Sequence, residues 1–139
     1  MQKIVIDTNV IVSALIGSGY PAQIIYNIVL NKKVIVCCSS AIFAEYVQVL
    51  NRERFRKYSG FVTNAEIVLN KIDQISENFS PLNKIDVIKD EPDNRFLELA
   101  ITANADFLIT GNTNDFTFKT YQQIKIVTPS EYVNEYFRA

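Results

Sequence analysis

Four stretches of this 139-residue chain carry side chains able to do chemistry, and all four rely on oxygen donors. The first is VIDTN, where Asp7 is followed by Thr8 and Asn9. The second is Glu45 in SSAIFAEYVQVL. The third is KDEPDN, with Asp90, Glu91 and Asp93. The fourth is TGNTNDF, residues 110 to 116, where Asp115 stands with Thr110, Asn112 and Asn114. The chain contains 0 histidines. Ser-His-Asp and Cys-His catalysis, histidine general-base chemistry and histidine-ligated zinc are therefore all excluded. Carboxylates and amides without imidazole suit a hard cation such as Mg²⁺ or Mn²⁺. Such sites serve phosphodiester chemistry, with one metal ion or a pair roughly 3.5–4 Å apart activating water and stabilising the leaving oxygen.

Each stretch also has a plainer use. Asp7 or Asn9 can cap the helix that follows, as both residue types commonly do. An ionised carboxylate at the mouth of an apolar sheet is costly without a partner, however, and a cation is one such partner. Glu45 has Ala41 and Ile42 one turn behind it and Val49 one turn ahead, so it borders the buried stripe of its helix. Asp93 is well placed as an N-cap for the helix that buries Phe96, Leu97, Ala100 and Ile101. Asp90, Glu91 and Asp93 repel one another unless something cationic lies near.

These groups need elements to hold them. KIVID (3 to 7), VIVCC (34 to 38), DFLIT (106 to 110) and IKIVT (124 to 128) are short, β-branched and apolar on both faces, the pattern of strands buried on both sides of a parallel sheet. DVIK (86 to 89) is a candidate fifth. Helical patterns alternate with them. PAQIIYNIVLN (21 to 31) opens on Pro21, and the stretch 39 to 58 opens on Ser39 or Ser40. NAEIVLNKIDQI (64 to 75) starts at Thr63 or Asn64, and a fourth helix runs from about Asn94 to Ala103. The last, Pro129 to Phe137, begins with a T-P-S-E capping box. The alternation predicts a three-layer α/β/α, Rossmann-like fold around a central parallel sheet of four to five strands. No linker or repeat divides residues 1–139, so one domain is expected.

In such sheets ligands bind outside the carboxyl ends of the strands, near the point where strand order reverses. Asp7, Asp90, Asp93 and Asp115 all fall on that edge; Asp106 begins its strand at the opposite edge. Composition adds exclusions. With 48% of residues hydrophobic the chain can build a core, yet no apolar stretch reaches the roughly 18 residues a membrane helix needs. The N-terminus lacks the apolar region of a signal peptide, so a soluble cytoplasmic protein is expected. Cys37 and Cys38 are adjacent, a spacing that suits neither a redox motif nor a disulfide framework. A net charge of −1 gives no global attraction for nucleic acid. Any such affinity must be local, as in NRERFRKYSGF (51 to 61), where Arg52, Arg54, Arg56 and Lys57 stand with Phe55 and Tyr58 among them. The plain use of that turn is a solvated helix end whose cations favour the macrodipole.

In order and spacing, VIDTNVIVSAL, SSAIFAEYVQVL, DEPDNRFLELAITANADFLITGN and TGNTNDF resemble the PIN-domain family, and within it the VapC-type toxin ribonucleases of toxin-antitoxin pairs. The resemblance spans essentially the whole chain. It implies a Mg²⁺- or Mn²⁺-dependent endoribonuclease, a homodimer, and neutralisation by a small antitoxin. Asp7, Glu45 and Asp93 match the family's three core acids. The fourth acidic position, often the Asp of TGD or TAD, falls on Asn112, so either Asn112 or Asp115 completes the site, and one metal or two remain open. Asn9 and Thr110 are expected to hold the acids by hydrogen bonds. The alternative is a weak or inactive PIN-fold module that binds RNA or an antitoxin. A receiver domain would need an acid pair after the first strand and a lysine after the last; a DxD phosphatase would need an acid at Asn9.

Overall fold

The computed structural model describes residues 1–81, 91–111 and 120–138, with the backbone alone for 91–93. Six strands form one sheet: β1 (Lys3–Ile6), β2 (Ile35–Cys38), β3 (Glu77–Asn78), β4 (Phe107–Ile109), β5 (Thr120–Tyr121) and β6 (Ile124–Val127). Their order is β3-β2-β1-β4-β6-β5. Every pairing is parallel except β5 with β6. Ile4, Val5, Ile6, Leu108 and Ile109 are all fully buried, as apolar strands covered on both faces must be. The α/β/α architecture with a mostly parallel sheet is as expected; β3 and β5 are additions, each two residues long. The candidate strand 86 to 89 lies outside the described residues.

The strand order has one consequence for function. From β1 the chain builds outward through β2 to β3 on one side, then returns to β4 on the other, passes to the edge strand β5 and comes back to β6 between them. The reversal falls between β1 and β4, whose register pairs Ile6 with Ile109. Beyond that last pair the Asp7 N–H still donates to the Ile109 carbonyl at 2.9 Å. Asp7 and Thr110 therefore leave the sheet side by side at its switch point.

The helices are α1 (Thr8–Ile16), α2 (Tyr20–Ala22, running on as a π-helix over Gln23–Val29), α3 (Ser40–Leu50), α4 (Phe61–Ile75), α5 (Glu91–Ala103) and α6 (Pro129–Glu131, running on as a π-helix over Tyr132–Tyr136). Helix α5 packs on β1, β2 and β4, while α1, α3 and α4 pack together. The Thr128–Glu131 capping box is present with both of its hydrogen bonds.

Three helix boundaries differ from the sequence pattern. The stretch 39 to 58 is not one helix, because α3 stops at Leu50. There the Asn51 side chain donates to the Val47 carbonyl at 2.7 Å, and a 3₁₀ turn over Glu53–Phe55 follows. Helix α4 begins at Phe61, ahead of Thr63. Gly60 takes φ 74° and turns the chain so that Phe61 is buried and stacks on Phe55 at 5.0 Å. Helix α5 begins at Glu91, so Asp93 sits in its first turn and is not the N-cap.

Candidate active site

Asp7 follows a strand buried on both faces and precedes a helix, and its geometry comes from both. It is the N-cap of α1, with an extended backbone at φ −64°, ψ 143°. One carboxylate oxygen, Oδ1, accepts from the Asn9 N–H at 3.4 Å. The other, Oδ2, accepts from the Thr110 hydroxyl at 2.6 Å. The cap is thus real and yet leaves Oδ2 turned across the switch point toward β4. Asp7 is 5% exposed. Burial raises its pKa above the ordinary carboxylate value, and the nearby Glu45 charge adds to that; the Thr110, Asn9 and Thr8 bonds pull the other way. Among the described residues the groups bonding Asp7 are a hydroxyl and backbone N–H groups, none of them cationic.

Glu45 reaches the same place from α3. Ser39 caps that helix, accepting from the Ile42 N–H at 3.1 Å, so its first turns begin where β2 ends. Glu45 is half-buried in its second turn, and the Thr8 hydroxyl donates a short hydrogen bond to Glu45 Oε2. The next residue anchors the turn: Tyr46 is buried and its hydroxyl donates to the Ile6 carbonyl at 2.5 Å. A strand end and a helix are thereby tied together on either side of Glu45.

Two groups were not picked out from the sequence as bond donors here. The cap candidates were Asp7 and Asn9, and the Thr8 hydroxyl between them is what orients Glu45. For Tyr46 the one signal available was a phenol on a helix with an apolar stripe, next to an acid, since a buried phenol calls for an acceptor. Of the residues singled out, Asp7, Asn9, Glu45 and Thr110 converge. Asn9 meets Asp7 through its backbone, and its side chain is exposed. The Asp93 side chain, Asp90, Asn112, Asn114 and Asp115 lie outside the described residues. Among the described residues no three acids, cysteines or histidines are grouped to hold a metal ion. Arg52, Arg54, Arg56 and Lys57 are exposed beyond the C-terminal end of α3, away from its capped start. Arg54 lies 4.9 Å over the Phe55 ring and Lys57 5.4 Å over Tyr58.

Two carboxylates held by hydroxyls thus meet at the switch point of a doubly wound sheet, the edge at which such sheets bind ligands. The sequence profile of the PIN domain family matches residues 3–114, and the chain belongs to that family. An uncharacterized protein of Methanocaldococcus jannaschii is 29% identical in an alignment covering 96% of this chain and 91% of that protein. In fold, the chain resembles one from the crystal structure of VapBC2 from Rickettsia felis bound to a DNA fragment from their promoter. That match has a TM-score of 0.59 at 16% identity and covers 91% of this chain and 98% of the other. No helix among the described residues is long and apolar enough to cross a membrane.

Proposed function

We propose that this PIN-domain protein is a metal-dependent endoribonuclease that hydrolyses RNA phosphodiesters, and that it is the toxin of a toxin-antitoxin pair. The observation that carries the reading is the pairing of Asp7 with Thr110 and of Glu45 with Thr8 at the switch point. Two buried or half-buried carboxylates at one strand edge, each with a hydroxyl donating to one oxygen, are a donor set that fits a hard divalent cation. Asp7 is the stronger argument, since burial disfavours its charge and the described residues supply no cation to offset it.

Asp7, Asp93 and one group of the 110 to 116 loop, Asn112 or Asp115, would hold Mg²⁺ or Mn²⁺, with Glu45 joining them or positioning the attacking water. When bound, such a cation lowers the pKa of water and offsets charge on the phosphate. The chain's own contribution is placement. Thr110 keeps Asp7 facing the crevice, Thr8 and Tyr46 keep Glu45 over it, and Glu45 can accept the proton of the attacking water. With water as the nucleophile and the 3′ oxygen leaving and taking up a proton, the products carry a 5′-phosphate and a 3′-hydroxyl, and no cyclic phosphate forms. The fold likeness to VapBC2 supports a small antitoxin partner, and we read the chain as one cytoplasmic domain that forms a homodimer. The exposed turn with Arg52, Arg54, Arg56 and Lys57 supplies a local positive surface for RNA.

Asp7→Asn and Asp93→Asn should each abolish Mn²⁺-dependent cleavage of structured RNA by the purified protein. Cleavage that survives both substitutions would come from a contaminating nuclease and would sink the reading.

A further inference from the structure

Beside the carboxylates lies a cleft of about 550 Å³ that the hydrolysis itself does not use. It opens between α1, the start of α2 and the start of α6, with Asn9, Ser13, Tyr20, Pro21, Gly111 and Ser130 among its walls. Two of these adjoin the site directly: Asn9 is two residues from Asp7, and Gly111 follows Thr110. The volume lies within the range of small-ligand sites, roughly 300–1,000 Å³.

The chemistry of the walls narrows the occupant. Among the described residues no carboxylate, lysine or arginine lines the cleft, so nothing there recognises a phosphate by charge. What its walls offer instead is an aromatic ring, a proline and valines together with an amide and hydroxyls. The Tyr20 ring is 41% exposed, and its hydroxyl accepts from Asn134 Nδ2 at 3.2 Å, a bond that fixes the ring from the α6 side. Gly111 lines the cleft, and a Cβ added there would meet no described residue within 4 Å. An aromatic face with short hydrogen-bonding groups near it is what an unpaired base requires.

We propose that this cleft receives one unpaired nucleobase of the RNA strand beside the scissile phosphate, stacked on Tyr20 and read at its edge by Asn9, Ser13 and Ser130. The assignment rests on the ribonuclease reading for the identity of the strand. It makes base preference a property of the cleft, separate from the carboxylates that perform hydrolysis.

Binding can be read without turnover by making every variant in the Asp7→Asn chain and titrating fluorescein-labelled ten-residue RNAs of A, C or U in Mg²⁺. The parent should prefer one base. Adding Tyr20→Ala should weaken the preferred RNA on the order of tenfold and flatten the preference, whereas Tyr20→Phe should keep both. Gly111→Val should block the cleft with similar effect, and circular dichroism should show each variant folded. If Tyr20→Ala and Gly111→Val bind all three RNAs as the parent does, or if the parent binds none, the cleft is not a base site. A preference that follows Tyr20 equally on DNA would overturn the assignment to RNA. Failure of the ribonuclease reading shows elsewhere, as the absence of Asp7-dependent cleavage by the wild-type chain.

Discussion

The Thr110 hydroxyl donates to Asp7 Oδ2 at 2.6 Å across 103 positions of sequence, in a site where both residues are almost completely buried. Neither residue would be stable there alone. The hydroxyl gains an acceptor, and the carboxylate gains part of what it loses by leaving water. Only part is recovered, since the Asp7 pKa stays above its ordinary value, with burial the largest cause. The metal-free protein therefore carries an acid it would be better without.

That imbalance predicts an inverse relation between activity and stability at this residue. In the unfolded chain Asp7 ionises around 3.8; in the folded chain it does so at a higher pH. Below 3.8 both states hold the proton and folding meets no penalty. As pH rises through the window up to the folded value, the unfolded state releases its proton first and stability falls. Asp7→Asn removes this loss. At pH 7 in chelator the variant should melt a few degrees above wild type, and the gap should close at pH 3. Mn²⁺ should then raise the melting temperature of wild type alone. A variant that melts below wild type at both pH values would show that the Thr110 bond outweighs the burial cost.

Thr8 should matter through Glu45, because its hydroxyl bonds Glu45 Oε2 and the residue is itself buried. Thr8→Val keeps the shape and removes the bond, so Glu45 is freed to turn away. Calorimetric Mn²⁺ affinity should drop by about 10- to 100-fold, the usual cost of losing a group that orients a ligand. Thr8→Ser should restore most of it. Equal affinities for Val and Ser would mean that Glu45 is not a metal ligand or does not depend on this contact.

The parts of the fold that could be foreseen share a physical basis. Strands buried on both faces must be apolar and β-branched, so β1, β2, β4 and β6 announced themselves, and with them the edge where Asp7 and Thr110 emerge. Glu45 was legible for a related reason, since a charge at the border of a buried helical stripe has to face something. What escaped notice depended on partners distant in sequence or on single-residue backbone choices. The end of α3 is decided by Asn51 competing for a helical carbonyl. The start of α4 is decided by a left-handed Gly60 that lets Phe61 reach Phe55. Strands β3 and β5, at two residues each, are too short to show any period. Thr8 and Glu45 are 37 positions apart, and nothing local to either names the other.

The basic turn has two competing uses, a surface for RNA and a purely solvated role. Arg54 lies over the buried Phe55 ring, an arrangement that keeps the guanidinium near one position while leaving its outer face in water. An ordered, exposed cation of this kind contributes to nucleic-acid binding by displacing counterions, so its signature is in the salt dependence. If Arg54 and Arg56 each meet a phosphate, Arg54→Ala/Arg56→Ala should reduce the slope of log affinity against log salt by roughly 0.7 per arginine on single-stranded RNA. Affinity should fall similarly for every base composition, in contrast to changes at Tyr20. Charge reversal at the same positions should weaken binding further at low salt and converge on wild type at high salt. A slope that stays at its wild-type value would assign the turn to solvent and move the search for the positive surface to another part of the chain.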